Sequence, residues 1–342
     1  MLPLRIGTLG TSRIATPALL EPAASVPGVT VAAVAARDWS RAEAFALRHG
    51  IPKAYGSYDE LLADPDIDAI YNPLPNSLHG PLTLKAIAAG KHVLCEKPFA
   101  SNAAQATQVA DAAAAAGLVV MEAMHYRHHP LVQRLRDLVL GGALGPVQHI
   151  QAWTTFVIED PDDIRYDYDL AGGALMDGGC YAIDCLRMLA GADGSGEITV
   201  TGALADPWDD AADPPGATAD RAMAVRLGFP GGVTGWFDSA FTRTGEFRAE
   251  VHVSGRDGQA WMQNFILAHQ GRLMATKDGT VIADERATGD STYVWQLRAF
   301  AAAIADGSGS GSGEVATSAA HAVSTMQVID DAYRAAGLRL RD

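Results

Sequence analysis

Residues 4–15 read Leu4-Arg-Ile-Gly-Thr-Leu-Gly-Thr-Ser-Arg-Ile-Ala15, a short apolar run followed at once by a turn of small residues. The run predicts a buried strand, and the segment after it, 14–25, has the pattern of a helix. Gly10, Ser12 and Ala15 keep the spacing G-x-G-x-x-G/A of a turn that binds the pyrophosphate of a dinucleotide. Ser12 replaces the middle glycine, and small residues crowd any tight strand–helix turn. The motif therefore supports dinucleotide binding mainly because a predicted strand precedes it and a predicted helix follows it.

Strand-like and helix-like segments alternate through the first third of the chain. Predicted strands at 29–36, 69–72, 92–95 and 118–122 are separated by predicted helices at 40–48, 57–63, 79–89 and 102–116, with Ser40 as the expected N-cap of the first of these. Such alternation with short connections predicts a doubly wound parallel sheet with the organisation of a Rossmann domain, which we place at residues 1–126.

The pattern changes in residues 127–342, which we predict to form an α+β domain with a large, mostly antiparallel open sheet. Helices are expected at 131–140, from the Gly172-Gly173 turn to about 189, at 293–305 and at 314–336. Strands are expected at 147–156, 198–204, 221–229, 232–241, 247–254 and 259–265. The repeated Gly-Ser segment 307–313 is typical of a flexible linker.

The composition excludes several classes of function. A net charge of −14 and a pI near 5.1 disfavour nucleic acid and anionic membrane surfaces as partners. Three cysteines without a Cys-x-x-Cys pair indicate free thiols in a reducing compartment. The chain passes within a few residues into its first strand and has no apolar run of membrane-spanning length, so we expect a cytoplasmic protein.

The stretch His92–Pro98 ends a predicted strand with an acid, a base and a proline in succession. Because open α/β sheets bind ligands at the carboxyl edge of their strands, Glu96 and Lys97 become candidate site residues. We predict that the Lys97–Pro98 bond is cis and turns the ammonium inward. The alternative is a loop with a solvated ion pair.

The end of the second predicted strand bears on the choice of cofactor. An acid there would bind ribose hydroxyls, whereas an arginine can pair with a 2′-phosphate. Arg37 comes first and Arg41 follows one helical turn later, which favours NADP, with NAD possible because of Asp38. A surface ion pair between Asp38 and Arg41 is the alternative interpretation.

Two further stretches supply polar groups. The loop 71–79 is stiffened by Pro73 and Pro75 and offers Asn76 and His79 at the sheet edge, unless Asn76 or Ser77 simply caps the next helix.

Asp177, Tyr181 and Asp184 follow Gly172-Gly173 at i, i+4 and i+7, on one face if the helix extends that far. A nearby ammonium and a helix N-terminus favour a phenolate at Tyr181, although a tyrosine packed between helix and sheet is the alternative.

Taken together, these motifs resemble the Gfo/Idh/MocA family of glucose-fructose oxidoreductases and inositol dehydrogenases, in the branch that has tyrosine at the catalytic position. The resemblance rests on Gly10-x-Ser12-x-x-Ala15, Pro73-Leu74-Pro75-Asn76-x-x-His79, Glu96-Lys97-Pro98, Met124-x-Tyr126-Arg127-x-x-Pro130 and Gly172-Gly-Ala-Leu-Met-Asp177-x-Gly-x-Tyr181. It covers nearly the whole chain.

The resemblance implies roles for individual residues. Lys97 and Tyr181 would handle the proton, and Asp177 would hold a substrate hydroxyl or orient Lys97, with the substrate between the two domains. Cofactor contacts would come from Gly10, Thr11, Ser12, Arg13, Ile14, Arg37, Arg41, Pro73, Leu74, Asn76, His79, Glu96, Lys97 and Arg127. From their place on predicted strands or loops that reach the same cleft, we expect further substrate contacts at His125, Trp153, Phe156 and Arg165, beside Lys97, Asp177 and Tyr181. The resemblance implies no metal, and a homodimer or homotetramer formed through the open face of the second sheet.

The sequence therefore predicts an NADP-dependent oxidoreductase acting on a sugar, polyol or vicinal diol. Two alternatives stay open: a reductase of keto-sugars or dicarbonyls, and a regulator that binds NADP without catalysis.

Overall fold

The computed structural model describes residues 3–193, 198–209, 216, 218–307 and 316–342. These residues form two compact units, Met1–His125 with Tyr293–Val323 and Tyr126–Thr292 with Ser324–Asp342. The predicted domains, 1–126 and 127–342, place Tyr293–Val323 in the second domain, whereas in the structure this segment belongs to the first unit. The physical reason is burial, since Leu297 and Phe300 are completely enclosed in the apolar core of that unit.

The α-helices of the described residues are α1 (Glu21–Ser25), α2 (Trp39–His49), α3 (Tyr58–Ala63), α4 (His79–Ala88), α5 (Ala103–Ala116), α6 (Pro130–Leu140), α7 (Cys180–Leu189), α8 (Thr292–Ala305) and α9 (Ala319–Ala335). Two π-helical turns, Thr16–Leu20 and Leu175–Gly179, lead directly into α1 and α7. The predicted linker lies, apart from Gly307, outside the described residues, as does the predicted start of the last helix at 314. None of the helices in the described ranges combines the length and apolarity that a membrane crossing requires.

The sheet of the first unit is parallel throughout and has the strand order β3-β2-β1-β4-β5-β6. Its strands are β1 (Leu4–Leu9), β2 (Val29–Ala35), β3 (Lys53–Tyr55), β4 (Ala69–Asn72), β5 (His92–Cys95) and β6 (Val120–Glu122). This is the doubly wound order, in which the sequence of strands across the sheet reverses between β1 and β4, and such sheets bind ligands at that point. The predicted Rossmann architecture is confirmed, although the short strand β3 was not predicted.

Local capping follows the sequence with one exception. Asn102 caps α5 by accepting a hydrogen bond from the Gln105 amide at 2.9 Å, and Gly117 ends the helix in the left-handed region at φ +64°. The expected cap at Ser40 is wrong. Asp38 caps α2 instead, because its carboxylate accepts both the amide and the hydroxyl of Ser40, at 2.8 and 2.7 Å.

The second unit is built on an eight-stranded sheet of order β14-β13-β12-β11-β7-β10-β9-β8, antiparallel except between β7 and β10. Its strands are β7 (Val147–Val157), β8 (Thr199–Pro207), β9 (Asp220–Gly228), β10 (Thr234–Thr242), β11 (Arg248–Gly255), β12 (Gly258–Gln263), β13 (Arg272–Lys277) and β14 (Thr280–Arg286). The mostly antiparallel sheet was predicted, whereas β13 and β14 were not.

The two faces of this sheet differ in composition. On β7, Ile150, Ala152 and Thr154 are completely buried, and Gly178 of the turn before α7 packs against Thr154. The alternate residues are partly exposed, and Trp153 contacts Trp236 edge to face, with ring centroids 5.4 Å apart. One face therefore covers α7, and the other carries partly exposed aromatic side chains.

The assignment of α8 to the first unit can be tested with two leucines of that unit. We expect Leu297→Ala to lower the free energy of unfolding by about 2–5 kcal/mol, because it leaves a cavity in the core. Leu47→Ala, at a position 85% exposed on α2, should change that free energy by less than about 0.5 kcal/mol. Urea titrations followed by circular dichroism would measure both, and equal losses in the two variants would contradict the assignment.

Candidate active site

The turn after β1 has the geometry of a phosphate-binding turn. Gly10 adopts φ +76°, its amide donates to the Ala35 carbonyl at 2.7 Å, and a Cβ atom there would approach Leu74 Cδ2 to 2.9 Å. Ala15 is completely buried against the strand. Position 10 therefore requires glycine for two reasons, its positive φ and the lack of room for a Cβ atom. The turn lies where the strand order of the sheet reverses, and it fits a dinucleotide pyrophosphate.

Arg37 and Arg41 lie beside this turn, just after the carboxyl end of β2. Both are exposed, and Arg41 donates to the Thr11 hydroxyl at 3.4 Å. Burial raises the pKa of the Tyr58 phenol, and the nearby Arg37 and Arg41 guanidinium groups limit that rise. Asp38 caps α2, and the hydrogen bonds of that cap, together with the charge of the nearby Arg41, lower the pKa of its carboxyl. Among the described residues, however, no carboxylate lies within ion-pair distance of Arg37 or Arg41. The two guanidinium groups are therefore available to an anion.

The proline loop after β4 is held by His79, which is buried. Its Nδ1 lies 2.6 Å from the Pro98 carbonyl oxygen and its Nε2 lies 2.8 Å from that of Leu74. The ring thus ties the loop to the segment that follows Lys97. Pro73 and Leu74 are buried at this edge of the sheet, whereas Asn76 is partly exposed there.

Glu96 and Lys97 follow β5 at the same edge. Glu96 is 6% exposed and accepts a hydrogen bond from the buried Tyr71 hydroxyl at 2.7 Å. Burial and the Glu96 carboxylate both raise the pKa of Tyr71 well above its ordinary value, which keeps the phenol protonated as a donor. Lys97 is partly exposed, and the Lys97–Pro98 bond is cis, which confirms the prediction.

In the second unit, Asp177 lies in the π-helical turn that leads into α7. Its carboxylate is 3.0 Å from Arg165 Nε, and its amide donates to the Gly173 carbonyl at 3.0 Å. Asp177 is also the main reason that the pKa of Arg165 rises above its usual value. The pair presents a carboxylate that is almost buried and a guanidinium that is partly exposed.

Tyr181 is 3% exposed on the first turn of α7 and contacts the ring of Tyr126 edge to face at 5.9 Å. The Tyr126 hydroxyl makes a short hydrogen bond to Asp184. Arg127 lies 3.7 Å from Asp184 and 2.8 Å from Asp193. Arg127 is thus buried in an ion-pair network behind Tyr181, a location that favours a structural role over the cofactor contact implied by the resemblance.

The four candidate substrate-wall residues have different surroundings. Phe156 lies beside Gly178, on the sheet face that covers α7, and Arg165 pairs with Asp177. Trp153 points to the opposite face of the same sheet, where it also contacts His252. His125, in the first unit, is buried and stacks on Tyr293 with ring centroids 4.1 Å apart. Among the described residues, no three His, Cys, Asp or Glu side chains are grouped as metal ligands would be.

Comparison with known proteins places these features in a family. Residues 4–124 match the model of an oxidoreductase family with an NAD-binding Rossmann fold, and residues 132–261 match the Gfo/Idh/MocA C-terminal domain. The chain belongs to the Gfo/Idh/MocA oxidoreductase family. This confirms the resemblance drawn from the sequence motifs.

Three known proteins illustrate the similarity. A D-xylose 1-dehydrogenase (NADP(+)) from Haloferax volcanii is 35% identical over 336 residues, which cover 97% of each chain. The structure of an aldose-aldose oxidoreductase from Caulobacter crescentus with glycerol is 28% identical, covers 98% of both chains and has a TM-score of 0.85. The structure of KijD10, a 3-ketoreductase from Actinomadura kijaniata, with NADP and TDP-benzene is 28% identical, covers 96% of both chains and has a TM-score of 0.84.

Some features of the site were not anticipated from the sequence. The sequence places Tyr71 only at the end of the predicted strand 69–72 and the start of the loop 71–79. In the structure, its hydroxyl is the donor that holds Glu96. The pairing of Arg165 with Asp177 joins two residues that had been named separately. Tyr126 and Asp184 were both noted in motifs, but their mutual hydrogen bond has no sequence signal, because the partners are 58 residues apart.

The role of Tyr71 can be tested by Tyr71→Phe. We expect the free energy of unfolding to fall by about 1–3 kcal/mol, because the buried Glu96 carboxylate loses a donor. Tyr58→Phe is the matched control in the same unit, since its hydroxyl makes no hydrogen bond within the described residues, and it should cost less than about 0.5 kcal/mol. Chemical denaturation measures both variants. If they are equally stable, the contact of Tyr71 with Glu96 does not stabilise the site.

Proposed function

We propose that this protein is an NADP-dependent oxidoreductase that interconverts a sugar, polyol or vicinal diol with the corresponding carbonyl compound. The observation that carries the proposal is the placement of Asp177 and Tyr181, one helical turn apart, at the start of a helix that is buried throughout. A carboxylate and a phenol so placed can bind one alcohol group and exchange its proton. The chain shares its family with dehydrogenases and reductases of sugars and diols.

The preference for NADP is supported by the exposed Arg37 and Arg41 beside the phosphate-binding turn. Guanidinium groups bind phosphate oxygens through charge-assisted hydrogen bonds, and neither group is engaged by a carboxylate of the described chain. Asp38 is the residue that would bind ribose hydroxyls, but its carboxylate is engaged in capping the N-terminus of α2. The similar xylose dehydrogenase is named for NADP.

When bound, the nicotinamide would supply the two-electron acceptor or donor at its ring carbon. In oxidation, the alcohol loses its C–H hydrogen with both electrons and its hydroxyl proton passes to Tyr181; in reduction, both return to the carbonyl. Lys97 favours the phenolate form of Tyr181 through its ammonium charge. This pairing rests on the Glu-Lys-Pro and Asp-x-Gly-x-Tyr motifs and on the family to which the chain belongs.

Asp177 and Arg165 orient the substrate in this proposal. The carboxylate accepts a hydrogen bond from a substrate hydroxyl, and Arg165 holds the carboxylate in one direction. Positioning of this kind lowers the barrier without taking part in bond changes. Phe156, which lies against the same turn, supplies an apolar wall, whereas the location of Trp153 on the other sheet face removes it from the proposed substrate contacts.

Reduction of a keto-sugar is the second candidate, because the fold is also similar to that of a 3-ketoreductase, KijD10. The same acid–base group serves both directions, so the two candidates differ in the substrate and not in the site. Assays with aldoses, inositols, vicinal diols and keto-sugars, each with both cofactors, would separate them by nicotinamide absorbance.

We further propose that copies of the chain associate through the open face of the eight-stranded sheet. Trp153, Trp236 and Trp261 lie on that face and are partly exposed, and His252 contacts both Trp153 and Trp261. Aromatic side chains of this kind are enriched in protein interfaces.

The proton-transfer role can be tested by Tyr181→Phe. We expect kcat to fall by about 10²- to 10⁴-fold, because acid–base assistance is lost, while the dissociation constant of NADPH stays within twofold. Tyr166→Phe is a matched control in the same unit, because its ring packs on Trp208 and its hydroxyl has no assigned role. Turnover by Tyr181→Phe within a few-fold of the unmodified enzyme would exclude this residue as the acid–base group.

The choice of cofactor can be tested by Arg37→Ala. We expect the dissociation constant of NADPH to rise by about 10- to 100-fold, because one charged contact to the 2′-phosphate is lost, and that of NADH to stay nearly unchanged. Arg48→Ala, on the last turn of α2, should alter neither constant. Fluorescence titration of the reduced cofactors gives both values, and an equal loss for NADPH and NADH would contradict the assignment.

A further inference from the structure

The penultimate residue of the chain is a completely buried arginine. Arg341 Nε donates to the Gly172 carbonyl at 3.0 Å, Nη2 to Asp220 Oδ1 at 3.1 Å, and Nη1 to the Arg339 carbonyl at 3.0 Å. Its guanidinium group also lies over two tyrosine rings, at 4.1 Å from that of Tyr333 and 4.8 Å from that of Tyr168. A buried guanidinium with this number of directed contacts holds its surroundings in one geometry.

Asp220 is the partner of Arg341 and is also completely buried. One carboxylate oxygen accepts the Leu175 amide at 2.7 Å, and the other accepts the Tyr333 hydroxyl at 2.8 Å. Leu175 is the first residue of the turn that contains Asp177, so the carboxylate binds an amide at the start of that helical segment. Burial raises the pKa of Asp220, and the Arg341 charge, the Leu175 amide and the Tyr333 hydroxyl each act against that rise.

The two glycines before this turn fit closely between the surrounding groups. A Cβ atom on Gly172 would lie 2.4 Å from the Arg165 carbonyl oxygen, and one on Gly173 would lie 2.1 Å from Asp220 Oδ1. Gly173 has φ +137° and donates its amide to the Arg165 carbonyl at 2.8 Å. The turn is therefore held by Arg341 and Asp220 on one side and by the Arg165 backbone on the other.

From these contacts we propose that Arg341 is a positioning residue for the active site. It fixes the Gly172-Gly173 turn, and through that turn it sets the direction of Asp177 and the start of the helix that carries Tyr181. The catalytic part of this inference rests on the function proposed for Asp177 and Tyr181, whereas the structural part does not.

The test uses Arg341→Ala, with Arg339→Ala as the matched control two residues away and exposed. Removing one member of a buried ion pair can unfold a protein, so the double variant Asp220→Asn with Arg341→Met, which removes both charges together, is measured beside it. Arg341→Lys retains the charge but not the forked set of donors.

We expect Arg341→Ala and the double variant to lose about 10- to 100-fold in kcat while the KM for NADPH changes less than twofold, because the reacting groups are displaced. Arg341→Lys should recover part of the loss, and millimolar guanidinium should raise kcat of Arg341→Ala but not of Arg339→Ala. A folded Arg341→Ala or double variant with an unchanged kcat would overturn the catalytic part.

Hydrogen exchange followed by mass spectrometry provides a readout that does not depend on turnover. We expect peptides spanning 172–178 to exchange at least tenfold faster in Arg341→Ala and in the double variant, with peptides from 92–105 unchanged. Unchanged exchange at 172–178 would overturn the structural part, even if no substrate were ever found. Faster exchange in an enzyme whose Tyr181→Phe variant remains active would instead show that the turn is held as inferred and that Tyr181 is not the acid–base group.

Discussion

The second unit depends on one steric constraint. There is no room for a side chain at the turn that leads to α7. At Gly172 and Gly173 a single added Cβ atom would overlap a backbone oxygen or the Asp220 carboxylate. The close approach brings the Leu175 amide within hydrogen-bonding distance of Asp220, and it places the Gly173 carbonyl where the Asp177 amide can reach it. Asp177 owes its position to this backbone geometry as much as to its own side chain.

Both units place charged groups out of water at their candidate sites, and each charge has directed partners. Glu96 is held by Tyr71, Asp184 by Tyr126 and Arg127, and Asp220 by Arg341 and Tyr333. A buried carboxylate without such donors would be costly and would tend to take up a proton. The tyrosines therefore serve as fixed hydrogen-bond donors to these carboxyl groups, and the removal of one donor should affect stability more than the loss of a typical surface contact.

The sequence was most informative where local chemistry decides the structure. The Gly10 turn, the helix that Gly117 ends and the helix after Gly172-Gly173 were all recognisable from short patterns. Strand β3 was missed because it has only three residues, and β13 and β14 because alternation in short segments near the end of the sheet is weak. The side of the sheet on which Trp153 lies depends on which alternate set of residues covers α7, and the sequence did not determine that set. Arg341 had no signal at all, because its partners are 121 and 169 residues away.

The neighbouring phenols of Tyr126 and Tyr181 show how surroundings separate two similar groups. Burial and the adjacent Asp184 carboxylate raise the pKa of Tyr126 well above its ordinary value. Its proton is committed to the hydrogen bond with Asp184, so Tyr126 can support the ring of Tyr181 but is poorly suited to exchange a proton with a substrate. Arg127 stabilises this arrangement, because its guanidinium group lies 3.7 Å from the Asp184 carboxyl group. Of the two rings in contact, Tyr126 is thus the one less suited to exchange a proton, which supports the proposal that Tyr181 is the acid–base group.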